Sequence, residues 1–236
     1  MQNQTVVVLG GSSGIGLAVA QAASKLGAKV VICSRSAEKL EQSRQTIQGD
    51  VEAIAFDMTD LTSVNQAFEQ IGSLDHLVAT AVADENKKRG RFTDLDRETA
   101  HSSFDKFWGY FHAAQAAVPR IKPGGSVTLL SGASAFKPPS SGMSVLASVN
   151  GAIATLGRAL AIELAPIRVN VVSPGAVDTP VWDEQQRNSL VKWMQESLPV
   201  QHVGTPEDIA QSVIYCMTNR YTTGVILHVD GGLMLM

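Results

Sequence analysis

The sequence predicts a single α/β domain built on a doubly wound, parallel sheet of seven strands. Three observations point there. Short Val/Ile/Leu runs alternate with helix-period segments along all 236 residues. The runs are continuously apolar, as strands covered on both faces must be. No Pro-rich linker, repeat or low-complexity tract divides the chain, whose length suits one sizeable core.

In chain order the strand-like runs are residues 5–9, 29–33, 51–56, 76–81, 126–130, 168–172 and 225–229. Helical patterns lie between most of them, at 16–26, 61–71, 99–117, 148–165 and 206–217, and Gly27 stops the first. Right-handed crossovers between parallel strands place such helices on both faces of the sheet. Two stretches break the rhythm. Residues 84–94 form a charged excursion after the fourth strand, and residues 177–203 follow the sixth as an unusually long connection. Ligands of open α/β sheets bind beyond the carboxyl ends of the strands, where both stretches emerge. The second carries Trp182, Trp193, Met194 and Leu198. It reads either as a substrate lid or as a surface helix pair closing over the core.

Composition narrows the function. At 44% hydrophobic and 17% charged, with a net charge of −3, the chain is neither disordered nor cationic enough to grip a nucleic acid. Cys33 and Cys216 lack zinc or redox spacing, so a reducing, cytoplasmic setting is expected. His76, His101, His112, His202 and His228 show no metal-ligand spacing, and no metal is expected. Residues 1–24 carry no charge at all. They have no basic flank and are interrupted by Gly-Gly-Ser-Ser-Gly, which weighs against a leader or a membrane span. No membrane partner is expected.

The uncharged start has a chemical reading. Val6-Val7-Val8-Leu9 runs into Gly10-Gly11-Ser12-Ser13-Gly14-Ile15-Gly16 and then a helix, with a second strand at the βαβ distance. Gly10, Gly14 and Gly16 permit a tight turn and close approach, and the free amides of a helix start favour a pyrophosphate. This is the Rossmann arrangement. An acid gripping a ribose 2′-hydroxyl should end the second strand. That end reads Cys33-Ser34-Arg35-Ser36, without a carboxylate. A guanidinium fork suits a 2′-phosphate, so NADP(H) is expected over NAD(H). Ser12, Ser13, Ser34 and Ser36 add neutral donors, with Lys39 one turn further on.

With these residues in place the chain resembles the short-chain dehydrogenase/reductase family over essentially its whole length. Gly10, Gly14 and Gly16 match the family's glycine motif, with Leu9 where Thr is usual. Phe56-Asp57-Met58-Thr59-Asp60 matches the segment whose Asp contacts adenine. Residues 168–180, Arg-Val-Asn-Val-Val-Ser-Pro-Gly-Ala-Val-Asp-Thr-Pro, match the motif that meets the nicotinamide. Gly204-Thr205-Pro206-Glu207-Asp208 and Val229-Asp230-Gly231-Gly232 match carboxyl-terminal signatures. The resemblance implies cofactor contacts from Ile15, Met58, Asn150, Pro174, Gly175, Val177 and Thr179. It also implies a homodimer or homotetramer built through the helices at 99–117 and 148–165.

The same resemblance implies an atypical catalytic centre. The family's Tyr and Lys positions fall on Leu146 and Asn150, its Ser on or beside Gly132, and its helix Asn on Lys106. The family's Asn-Asn-Ala-Gly is replaced by Ala79-Thr80-Ala81-Val82. Ser131 and Ser134 lie close to the Ser position. Lys106 and Tyr110, four apart on one predicted helix, share a face and read as a reversed dyad. The other reading packs Tyr110 with Phe107, Trp108 and Phe111 against a helix or a second subunit. Lys87, Lys88, Arg89 and Arg91 read as greeting an anionic substrate or as a solvated loop. Two functions follow. The first is an NADP(H)-dependent oxidoreductase acting on a small carbonyl, alcohol or activated alkene, with Lys106, Ser131, Ser134 and Tyr110 as candidate catalytic residues. The alternative is a catalytically silent NADP(H)-binding sensor or partner subunit.

Overall fold

The computed structural model describes residues 1–82, 89–138, 141–180, 182 and 184–236, without the side chains of 184–186. Seven strands form one all-parallel sheet: β1 (Thr5–Leu9), β2 (Lys29–Ser34), β3 (Val51–Ala55), β4 (Leu74–Ala79), β5 (Ile121–Leu130), β6 (Arg168–Pro174) and β7 (Ile226–Val229). Their order is β3-β2-β1-β4-β5-β6-β7, so the winding reverses between β1 and β4. That reversal parts the loops after β1 and β4 and opens a crevice at their carboxyl ends. The expected single-domain, doubly wound fold is the fold observed.

Two apolar layers sandwich the sheet. Val7 and Leu9 of β1 face α3 (Leu61–Ile71), α5 (Asp105–Ala117) and α6 (Ser144–Glu163), among Phe68, Tyr110, Val149 and Ile153. Val6 and Val8 face α1 (Gly14–Lys25), α2 (Ala37–Thr46) and α8 (Pro206–Thr218), among Val19, Leu40, Ile209 and Val213. All four β1 side chains are at most 2% exposed. This two-sided burial is why β1 shows no polar alternation, and each such side chain contributes about 1.5–3 kcal/mol. Helix α6 is long and apolar enough to cross a membrane, but packs its buried Val149, Ile153 and Ala154 beside β5 and β6.

Three helical expectations change. The 99–117 pattern is two helices, α4 (Arg97–Ser103) and α5, hinged at Phe104. Helix α2 was hidden by its polarity, since only Leu40 and Ser43 are buried. The long connection at 177–203 contains one helix, α7 (Glu184–Ser197).

Candidate active site

A cleft of about 1320 Å³ opens over the carboxyl ends of the strands. Its first wall is the glycine loop. Gly10 has φ of +84°, a left-handed value that side chains resist. At Gly16 a Cβ would lie 2.2 Å from the Gly10 carbonyl oxygen and 2.5 Å from Thr80 Oγ1. Thr80 is itself fixed, its hydroxyl donating to the Leu9 carbonyl at 2.7 Å. Thr80 is a positioning residue that sequence reasoning missed, because it joins the loop only through the β1–β4 adjacency. Helix α1 begins here with no acidic residue in its first turn, and its N-cap Ser13 makes no side-chain cap bond. The first amides of a helix have no intrahelical acceptor, so they point their dipole into the cleft.

The second wall is the β2 end. Ser34, Arg35, Ser36 and Lys39 all line the cleft, with Arg35 and Lys39 exposed at its lip. Ser36 is also the N-cap of α2, accepting from the Lys39 amide at 3.3 Å. The Ser34 hydroxyl is buried with no protein partner among the described residues, which suits a ligand's polar edge. Cys33 lines the wall too, its thiol pushed up by burial and therefore inert. Asp57 accepts from the Thr59 amide at 2.9 Å and from Thr59 Oγ1 at 2.8 Å. The amide bond leads in holding its carboxyl below the ordinary value, against the effect of partial burial, with Arg35 adding to the shift. Met58 lines the cleft and sits over Gly109 of α5, where a Cβ would meet its Cγ at 2.5 Å.

The floor gathers Lys106, Ser131, Gly132, Ser134 and Asn150. Lys106 is 5% exposed, and its Nζ donates to Asn150 Oδ1 at 2.9 Å. Asn150 Nδ2 donates to Ser134 Oγ at 3.0 Å, and Ser131 Oγ donates to the Asn150 carbonyl at 2.7 Å. The Asn150 carboxamide, expected as a cofactor contact, is thus engaged by two side chains of the floor. Leu146 is buried one turn before it. The expectation for Tyr110 as a catalytic group is corrected. It is fully buried outside the cleft lining, its hydroxyl donates to the Ala81 carbonyl at 3.0 Å, and Lys106 Nζ sits 5.9 Å from its ring centroid. It packs and supports Lys106 instead of facing a ligand.

The far wall is apolar. Met143, Trp182, Leu190, Trp193 and Met194 line it, beside Pro174, Gly175, Val177 and Thr179 from the end of β6. Leu198, grouped with the lid by sequence, packs instead with Met194, Ala133 and Leu233. The Trp182 indole donates to the Val177 carbonyl at 3.0 Å. Of the basic loop, Arg89 stacks over Trp182 at 4.9 Å and lines the cleft, while Arg91 is spent on Asp94 in solvent. Lys87 and Lys88 lie outside the described residues. His76, His112, His202 and His228 sit elsewhere: His76 bonds Ser126 and His112 stacks on Trp108.

Fold and cleft together define a doubly wound domain with its ligand crevice at the switch point. A family model described as Enoyl-(Acyl carrier protein) reductase matches residues 10–234. Short-chain dehydrogenase/reductase ATR9 of Stachybotrys chlorohalonatus is 34% identical over 257 residues, covering 100% of this chain and 98% of that protein. Tropinone reductase-like 3 of Erythroxylum coca is 30% identical over 247 residues, covering 98% and 93%. Among solved structures, a small-chain dehydrogenase in complex with NADPH superposes with a TM-score of 0.83 at 34% identity, over 99% of each chain. The MalC reductase/Diels-Alderase from Malbranchea aurantiaca gives 0.92 at 26% identity, over 100% of this chain and 97% of that one. The chain belongs to the short-chain dehydrogenase/reductase family of oxidoreductases.

Proposed function

We propose that this protein is an NADP(H)-dependent oxidoreductase that moves a hydride between nicotinamide and a small, fairly apolar carbonyl or alcohol, or an activated alkene. The observation that carries the reading is one continuous cleft joining a glycine cradle, an acid-free β2 end with exposed Arg35, and a polar floor. The cradle passes a fit test for the cofactor: a Cβ at Gly10 or Gly16 would strike backbone, and the orphan Ser34 hydroxyl lies in the wall. Gly10, Ser12, Ser13, Gly14, Ile15 and Gly16 would hold the pyrophosphate through α1. Arg35, Ser36 and Lys39 would take the 2′-phosphate, Asp57 and Met58 the adenine, and Val177 and Thr179 the nicotinamide amide. When bound, the reduced cofactor supplies the hydride.

The active site in this reading departs from the family pattern, with Leu146 and Asn150 at the Tyr and Lys positions. The polar floor then supplies the group beside the reacting oxygen, because hydride addition to a carbonyl builds negative charge there. The apolar wall selects substrates with little charge, and residues 177–203 act as its lid. We place a subunit contact on the outer side of α5 and α6, where Trp108 and Ile162 are 49% and 84% exposed. Light scattering showing a dimer or tetramer fits that placement.

The test titrates purified protein with NADPH and NADH by fluorescence, then follows NADPH absorbance with para-nitrobenzaldehyde, cyclohexanone and cyclohexenone. Preference for NADPH with turnover of one probe is expected. Tight NADPH binding without turnover of the aldehyde, the ketone or the enone would leave the silent binder standing in its place.

A further inference from the structure

The floor of the cleft has a direction, and that direction separates its residues into roles. An ammonium group only donates, so the atom of Asn150 facing Lys106 must be the carboxamide oxygen. The orientation of that amide is therefore set by chemistry. Its nitrogen faces Ser134 and donates to Oγ at 3.0 Å. Ser134 receives a hydrogen bond, which leaves its own proton to give, and its side chain lines the cleft. Ser131 stands the other way round. Its proton is used on the Asn150 carbonyl at 2.7 Å, and it is 5% exposed. Gly132 makes room for the arrangement, because a Cβ there would lie 2.8 Å from Asn150 Nδ2.

We infer that Ser134 is the group that touches the substrate oxygen, and that Lys106 acts on it through the Asn150 carboxamide. Lys106 and Asn150 are positioning residues and Ser134 is the catalytic residue. This assignment rests on the oxidoreductase reading above. The physical basis is cooperative polarisation: a cation on an amide oxygen makes the amide N–H a stronger donor, which makes the serine hydroxyl a stronger donor in turn. In the reductive direction the carbonyl carbon gains the hydride as a new C–H bond. The C=O π pair moves onto oxygen, and that oxygen takes the Ser134 hydroxyl proton. The serine oxygen, held by Asn150 N–H, takes a proton back from water. The net reaction uses carbonyl, NADPH and one proton, and yields alcohol and NADP⁺.

The test is a mutant cycle with one readout independent of turnover. Ser134→Ala should lower kcat on para-nitrobenzaldehyde about a hundredfold, with NADPH affinity and KM within about threefold. Lys106→Met should cost about tenfold in the parent but less than about twofold in the Ser134→Ala background. Asn150→Asp keeps an oxygen for Lys106 but turns the donor to Ser134 into an acceptor, so it should match Ser134→Ala. Equal Lys106→Met losses in both backgrounds would show Lys106 acting directly on the substrate, and would overturn the relay. The second readout is the Asn150 side-chain amide signal in the ligand-free protein, by nitrogen-resolved NMR and assigned with Asn150→Asp. It should move in both Lys106→Arg and Ser134→Ala. A signal unmoved by either substitution overturns the relay even if no probe is turned over, so failure of the relay and failure of the oxidoreductase reading stay distinct.

Discussion

Gly16→Ala is the most economical perturbation of the cofactor end. The new Cβ would lie 2.2 Å from the Gly10 carbonyl oxygen, where ordinary contact begins near 3.4 Å. Something must therefore move by about 1 Å, and neither neighbour is free to do so. Gly10 is anchored by its amide on the Cys33 carbonyl at 2.7 Å, and Thr80 by its hydroxyl on Leu9. The start of α1 has to shift, and with it the amides aimed into the cleft. Overpacking of this kind costs about 1–3 kcal/mol of stability, and a misplacement of about 1 Å about a hundredfold in function. The expected result is a folded protein by circular dichroism, a lower Tm, and NADPH affinity weakened about a hundredfold by fluorescence titration. Gly151→Ala is the control. Nothing lies within 4 Å of a Cβ there, and alanine in the interior of α6 should add about 0.5–1 kcal/mol without touching affinity. A folded Gly16→Ala protein that binds NADPH within about threefold of the parent would refute the cradle.

Three further outcomes are expected. Arg35→Ala should weaken NADPH about thirtyfold, or about 2 kcal/mol for a lost charge-assisted contact, while NADH stays within about threefold; equal losses for both would remove Arg35 from the 2′-phosphate. His76 is 2% exposed, and burial first pushes its imidazole from 6.5 down to about 4, with Arg168 and the chain amino terminus adding and Asp75 opposing. The unfolded chain thus binds the proton that the folded one refuses between about pH 6.5 and 4. Its stabilising effect is complete above that window and falls away as pH drops through it. By urea titration the parent should lose about 2 kcal/mol more than His76→Gln between pH 7 and pH 5, and parallel losses would disprove the assignment. Arg168, 7% exposed, donates to the carbonyls of Cys216 and Met217 at the end of α8 and to that of Thr222 in the connection beyond it. Arg168→Met should cost about 3 kcal/mol, or about 10 °C in Tm, and an unchanged Tm would deny it that capping role.

What was legible in the sequence was what the backbone decides. Six of seven strand runs start within two residues of the observed ones, because the central strands must be apolar on both faces and the edge strands β3 and β7, though half-buried, keep short β-branched or aliphatic runs. The exception is β5, which begins at Ile121 where the sequence suggested 126; Lys122, Pro123, Gly124 and Gly125 hide its start. The glycine loop was legible for the same reason, since its residues are dictated by φ and by close approach. What stayed hidden was direction. Nothing in the spacing of Lys106, Ser131, Ser134 and Asn150 says which hydroxyl spends its proton on the protein and which keeps it. Tyr110 shows the converse: its i,i+4 spacing from Lys106 was right, and the shared face is real. That face, however, turns its ring into the core while Lys106 reaches the floor.

The two ends of the cleft place opposite electrostatic demands on the fold. The cofactor end needs no buried charge, because helix-start amides and an exposed guanidinium suffice for phosphates. The floor keeps a lysine at 5% exposure between α5 and α6. Moving an ammonium group out of water costs several kcal/mol before its contacts offset the loss. A bond to Asn150 and the distant Tyr110 face are among the contacts that offset that loss, whereas leucine or methionine at the same place would need no such contacts. A fold selected for stability alone would favour the apolar residue, whereas a site that must meet negative charge on a substrate oxygen has reason to keep the cation. Lys106→Met therefore separates the two pressures in one protein. A variant that gains stability while losing turnover would show that the lysine is held there for chemistry.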